Sequence, residues 1–390
     1  VAITGIGVLN GSLVGVDEFW DRLLDPTPRP TATTIEGFDP RRWMDRKQVR
    51  RSDTFAQMGV AAAALAVEDA GSPDLDPYRT GVIIGAGNGG TGRSLREYEV
   101  FLAEGPEAVS PLMGAVTMSN AASSNIAFHQ GLRGVCESIA SGCASGTHAV
   151  GDAARLIRWG ICDAVLSGGS DAPRSAEAER GGFVSAALKN LRVHTDDDLV
   201  RPFDVKRSGF ILSDGAAVLV LEEMDAAEAR GARIYAEVVG YGNTLDGYDI
   251  IAPDPTGEGV RRCMEAALAE AGMTGDQVRH VNTHGTATRS NDLAETVAIQ
   301  ELCGLPGPAV NSIKGVTGHS GPAAGAIEAA AVALTIARKV IPPTVGLEEP
   351  SPEIEVDLVY GEPRAWEPGL SLSTSLGLGG HTGCVALVPV

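Results

Sequence analysis

Aromatic side chains are scarce in this chain: Phe, Trp and Tyr together make up 5% of its 390 residues. Aliphatic and small side chains must therefore fill the core, and 49 glycines point to backbone packed closely on backbone. No apolar run approaches the length of a membrane span. Excess positive charge is also missing. A formal net charge of −19 argues against nucleic acid as a partner, since phosphate binding wants a basic face. The six cysteines, at 136, 143, 162, 263, 303 and 384, include no CxxC pair and no Cys/His cluster with zinc spacing. Neither a disulfide framework nor a metal site is expected, and the reducing cytoplasm is the expected compartment. The chain opens at Val1 inside a strand-like run, so its natural start is expected to lie upstream.

What is present is an alternation of strand-like and helical stretches. Strands are expected at 1–9, 80–85, 135–140, 163–167 and 216–221, with helices at 54–70 and from Cys143 to about 159. A second series has strands at 234–242, 279–283 and 309–312, helices at 257–271, 292–302 and 323–338, and closing strands at 370–375 and 384–390. Two series of similar rhythm predict an α/β protein with a duplicated architecture, divided into residues 1–230 and 231–390. Gly85-x-Gly87-x-x-Gly90, just after a strand, has dinucleotide-fingerprint spacing. Alone that spacing is a weak signal, and a plain backbone turn is the simpler reading.

Cys143 is the first candidate for chemistry. It lies in Ser141-Gly142-Cys143-Ala144-Ser145-Gly146, between a strand and a long helix. The thiolate is the reactive form, and free N–H groups at a helix N-terminus favour an anion. The small neighbours leave the approach open. The other five cysteines read as small buried hydrophobes. Two histidines follow in glycine-flanked turns after strands: His284 in Asn282-Thr283-His284-Gly285-Thr286-Ala287-Thr288, and His319 in Asn311-Ser312-Ile313-Lys314-Gly315-Val316-Thr317-Gly318-His319. Ligands of α/β proteins gather at the C-terminal ends of strands, which makes two such histidines more than packing.

These three motifs, with Asn291-Asp292-x-x-Glu295 and Leu376-Gly377-Leu378-Gly379-Gly380-His381, fall in the order found in β-ketoacyl synthases. Arg201-Pro202-Phe203-Asp204 and Gly209-Phe210-x-Leu212-x-Asp214-Gly215-Ala216 match as well, so the resemblance spans essentially the whole chain. Residues Thr288 to Asn291 with Glu295-Thr296 look most like bacterial type II polyketide ketosynthases. The resemblance implies a thiolase fold, two βαβαβαββ halves in five α-β-α-β-α layers. It also implies a homodimer, or a heterodimer with a chain-length-factor-like subunit. It makes Cys143 the acyl acceptor, fed from the phosphopantetheine of an acyl carrier protein, with no metal or redox cofactor. His284 and His319 would assist decarboxylation of a malonyl thioester, and Lys314 paired with Glu328 would orient them. The N–H groups of Cys143 and Leu378 would form an oxyanion hole, and Thr286 and Thr288 would hold the pantetheine arm. Carrier proteins are acidic, so an acidic enzyme needs a local basic patch; Arg201, Lys206 and Arg207 are the candidates.

The chain departs from the family pattern in several places. Leu376 and Leu378 stand where phenylalanines are usual, the second of which gates the cysteine. Asp249, taken as a substrate-binding position, stands where many relatives have histidine. Ile251, Ser208, Gly321-Pro322 and Thr382 also depart. This cluster leaves open a synthase that cyclises or transfers the Cys143-bound chain without extension. A non-catalytic partner subunit is a third reading, opposed by the presence of Cys143, His284 and His319 together.

Overall fold

The computed structural model describes residues 1–31, 33–35, 37–178 and 182–390. Ten main strands carry the fold: β1 (Ala2–Asn10), β2 (Thr80–Gly85), β3 (Cys136–Ile139), β4 (Ala164–Asp171), β5 (Gly215–Glu222), β6 (Ala236–Leu245), β7 (Val278–Asn282), β8 (Ala309–Asn311), β9 (Leu370–Gly377) and β10 (His381–Val388). Their order is β8-β7-β9-β10-β6-β1-β5-β4-β2-β3. Reading outward from the centre, β1, β5, β4, β2 and β3 pair antiparallel, antiparallel, parallel, parallel. Outward on the other side, β6, β10, β9, β7 and β8 repeat that sequence of pairings. The duplication expected from the rhythm of the chain is thus written into the hydrogen bonds. The two sets join through a short antiparallel contact of β1 with β6 at Ala2–Glu237 and Ile3–Ala236.

Strand periodicity sorts the core into layers, because alternate side chains leave opposite faces of a sheet. Along β5, Ala217, Leu219 and Leu221 enter a central cluster, while Ala216, Val218 and Val220 enter an outer one. Along β10, Val385 and Leu387 face the centre, and Cys384 and Ala386 face the opposite outer cluster. The outer layers are filled by α1 (Thr54–Asp69) on one side and α4 (Glu258–Ala271) on the other. Between the sheets lie α2 (Ser145–Arg158) and α6 (Ala324–Arg338), with α3 (Phe183–Asn190) and α5 (Arg289–Cys303) elsewhere. The segment 324–336 of α6 is buried on every side, as a helix between two sheets must be. This is the five-layered thiolase arrangement. Among the described residues no helix is long and apolar enough to cross a membrane.

The two central helices meet at their N-termini through glycine. A Cβ on Gly325 would lie 2.0 Å from Thr147 Oγ1, and one on Gly146 would lie 2.7 Å from the Ala326 nitrogen. That approach brings the turn carrying Cys143, just before α2, beside the turn carrying His319, just before α6.

Candidate active site

Cys143 Sγ lies 3.1 Å from His319 Nε2. The ring of His284 stands across from His319, centroids 5.1 Å apart and planes at 80°. The thiol and the facing ring nitrogens lie within 4.8 Å of one another. Three side chains distant in sequence therefore converge on one point. That point opens into a cavity of about 860 Å³, which also holds Thr286, Thr288, Leu376 and Leu378.

Each group is held by neighbours whose role can be traced. The backbone N–H groups of His284 and Gly285 both donate to the buried Glu295 carboxylate at 2.7 Å. Glu295 also accepts from Asn291 and Thr374, so it locks the His284 turn. Lys314 Nζ lies 3.2 Å from His284 Nδ1 and forms a fully buried ion pair with Glu328. An ammonium only donates, so Nδ1 of His284 accepts and its proton sits on Nε2, toward the cavity. His319 is fixed through its backbone: its N–H donates to Ile211 O at 2.8 Å, and its carbonyl accepts from Ser213 N at 3.1 Å. Its ring meets Phe210 edge to face at 4.7 Å and 88°.

The electrostatics favour neutral groups. Burial, then the charge of Lys314, then His319, holds His284 well below the usual imidazole range. Burial and Lys314 do the same to His319. Burial pushes the Cys143 thiol up to about 11, against the pull of Lys314 and of the backbone N–H of Leu378 and Cys143 itself. The helix N-terminus was expected to favour thiolate; desolvation outweighs it. The loop of Leu378 comes this close because Gly377 has no side chain: a Cβ there would lie 3.0 Å from the Cys143 nitrogen. One sulfur and two imidazoles could in principle hold a metal ion. The Lys314 ammonium against one of those imidazoles opposes a bound cation.

Breaking the buried pair has a large expected cost. Lys314→Met strands the Glu328 carboxylate, whose pKa burial has already raised to about 7. The variant should lose about 3–5 kcal/mol in denaturant unfolding. The double variant Lys314→Met with Glu328→Leu should lose less than the single one. A double variant that loses as much as the single would show that the lysine stem, not the charge, matters.

Not every expected residue reaches the site. Thr286 and Thr288 line the cavity, 2.9 Å apart through their hydroxyls. Asp249 does not line it: it is exposed, and its carboxylate closes a turn by accepting the N–H groups of Ile251 and Ala252. The aspartate in the lining is Asp246, three residues earlier. The other departures, Ser208, Ile251, Pro322, Leu376, Leu378 and Thr382, do line the cavity. The basic trio is also reassigned. Arg207 has a side chain only 1% exposed and pairs with Glu353; Arg201 pairs with Asp197 and Glu348; Lys206 is exposed, 3.6 Å from Glu348. Sequence reasoning missed the apolar wall supplied by Val184 and Leu188 of α3 with Phe210. The i, i+4 spacing of Val184 and Leu188 was its only signal.

A fold of duplicated halves with a thiol and two neutral imidazoles in one cavity defines a thiolase-fold acyl-transferring enzyme. The β-ketoacyl synthase N-terminal domain model matches residues 26–227, and the C-terminal domain model matches residues 235–348. Over 401 residues the chain is 37% identical to 3-oxoacyl-[acyl-carrier-protein] synthase 2 of Synechocystis sp., covering 98% of this chain and 96% of that protein. The Staphylococcus aureus enzyme of the same name is 36% identical, with 98% and 96% covered. Among solved structures, the ishigamide ketosynthase/chain length factor superposes with a TM-score of 0.92 at 31% identity, covering 100% of this chain and 98% of that one. A β-ketoacyl synthase from Burkholderia phymatum gives 0.91 at 29%, covering 100% and 99%. The chain belongs to the β-ketoacyl synthase family of condensing acyltransferases.

Proposed function

We propose that the protein condenses an acyl group held on Cys143 with a malonyl-type thioester delivered by an acyl carrier protein. The observation that carries this reading is the 3.1 Å thiol–imidazole contact with His284 opposite, inside a cavity of about 860 Å³. Cys143 gives up its proton, attacks the carrier thioester and expels the carrier thiol, leaving an acyl-enzyme. A malonyl thioester then enters. Its carboxylate carbon leaves as carbon dioxide, and the bonding electrons pass into an enolate. Two neutral imidazoles donating hydrogen bonds to the thioester oxygen stabilise that enolate. The enolate carbon attacks the acyl-Cys143 carbonyl, whose oxygen is received by the N–H groups of Cys143 and Leu378. The C–S bond breaks, Cys143 departs as thiolate, and it takes up one proton from solvent, the proton this half-reaction consumes. The chemistry calls for no metal or redox cofactor.

Several features support the partners. A related solved structure is described as a type II PKS acyl-carrier protein in complex with its ketosynthase, with 25% identity to this chain. An acidic carrier needs a basic surface on this acidic protein. With Arg207 buried, the segment around the short helix Arg46–Arg50 is the better candidate: Arg41, Arg42, Arg46, Lys47, Arg50 and Arg51 are all exposed. The outer edge of β3 ends the sheet, and Phe128 nearby is 86% exposed. An open strand edge beside apolar surface supports a second copy or a chain-length-factor-like subunit there. A cytoplasmic setting fits free cysteines and a carrier-bound substrate.

The test is reconstitution with an acyl-carrier thioester and malonyl-carrier protein. The expected result is carbon dioxide release matched by a two-carbon extension of the chain. The leucines at 376 and 378, smaller than the family phenylalanines, favour a second reading in which the bound chain is transferred without extension. Acyl transfer to an acceptor with no carbon dioxide released would select that reading instead.

A further inference from the structure

The turn at 86–90, with dinucleotide-fingerprint spacing, is occupied from behind by an anion of the protein itself. Asp171 is fully buried at the end of β4. Its Oδ2 accepts the N–H groups of Gly87 at 3.1 Å and Asn88 at 2.9 Å, and its Oδ1 accepts that of Ala172 at 2.9 Å. Consecutive backbone N–H groups of this kind are what a nucleotide phosphate needs. Here they are satisfied by a carboxylate, so the glycine motif is not a nucleotide site.

The other side of the same turn faces the catalytic cavity. Gly87 and Asn88 belong to its lining together with Cys143 and Pro322. Gly87 sits against Pro322 so tightly that a Cβ at 87 would lie 2.6 Å from Pro322 Cγ. The Gly87 carbonyl is held as well, accepting from Ser119 Oγ at 3.2 Å. One stretch of wall beside the thiol is therefore tied from behind by a single carboxylate and closed in front by a proline ring.

We propose that Asp171 is a positioning residue for acyl selection: by fixing the Gly87–Asn88 wall, it sets which acyl chains fit beside Cys143. The proposal rests on the reading of Cys143 as acyl acceptor. Asp171 touches no cavity space, so its influence passes through the turn. In Asp171→Asn, an amide NH₂ replaces one acceptor oxygen. With the NH₂ toward Gly87 and Asn88 it faces two backbone donors and pushes the turn away; with it toward Ala172, a neutral oxygen in place of a carboxylate holds the two turn N–H groups, so the tie is weakened in either orientation. A displaced wall changes the rates for short and long chains unequally. A purely structural loss would lower all of them by one factor.

The experiment follows acylation of Cys143 by mass, in the full chain, with N-acetylcysteamine thioesters of four, eight and twelve carbons. In Asp171→Asn, the ratio between the fastest and slowest chain should change at least about fivefold from the parent. An unchanged ratio, whatever the absolute rates, overturns the proposal. Should Asp171→Asn not fold, Gly87→Ala carries the test, because it drives the same turn off Pro322 with Asp171 intact. A parent-like ratio there is equally fatal. A parent protein that loads none of the chains overturns the acyl-acceptor reading and this inference with it; loading with an unaltered ratio overturns this inference alone.

Discussion

Cys143→Ala is expected to abolish acyl loading, leaving no adduct by mass and lowering chain extension by at least about 10³-fold. Among the described residues, no second thiol is placed to substitute. Cys162, Cys263 and Cys384 are buried away from the cavity, the half-buried Cys303 does not line it, and Cys136 is exposed on β3 outside it. The parent thiol should also show an unusual pH profile. Its pKa is pushed up to about 11 by burial, so the thiolate fraction at pH 8 is on the order of one in a thousand. Thiolate is the attacking form, so alkylation by iodoacetamide should keep rising about tenfold per pH unit to at least pH 10. The measurement needs a Cys136→Ser, Cys303→Ser background, so that the exposed thiol and the half-buried one do not contribute. A plateau reached by pH 8 would mean that Lys314 and the start of α2 outweigh desolvation. With so high a resting value deprotonation must accompany attack, and His319 Nε2 is the ring nitrogen in contact with the sulfur.

Much of this architecture was legible where strands buried on both faces carry a continuous apolar stretch, as β5 does. β4 and β5 are buried along their whole length, and both were found, although β4 runs four residues beyond its expected end at 167. The helices Val16–Leu24, Thr91–Glu104, Ala121–Gln130 and Phe183–Asn190 were not read. They lie outside the repeating βα rhythm, and Thr91–Glu104 and Ala121–Gln130 keep few buried side chains. The convergent trio Cys143, His284 and His319 was legible because each member sits in a turn of small residues. The cavity wall was not, because Val184, Leu188 and Phe210 look like any other core side chains until the fold bends them around a void. Asp249 and Arg207 show the opposite error. Neighbouring motif residues suggested a role, but side-chain direction decides it: Asp249 turns back on its own loop, and Arg207 turns inward to Glu353 and Asp292.

Loss of either histidine should separate the two half-reactions, and not in the same way. His284 is tied to Lys314 behind it and presents Nε2–H to the cavity, without hydrogen-bonding the sulfur. His284→Ala should therefore load Cys143 at close to the parent rate but decarboxylate malonyl thioester about 10²–10³-fold more slowly, the scale for one lost oxyanion donor. His319 contacts both the sulfur and the space where the malonyl oxygen would sit. His319→Ala should slow decarboxylation by a similar factor and slow loading as well. Because burial and Lys314 hold both imidazoles well below their ordinary range, neither gains a proton as pH falls from 9 to 7. Parent decarboxylation should accordingly stay flat across that interval while alkylation of the thiol climbs. Divergence of the two profiles in one protein is the result expected of neutral imidazole donors beside a buried thiol. Should His319→Ala decarboxylate at the parent rate, the malonyl oxygen is stabilised elsewhere, and His319 serves the thiol alone.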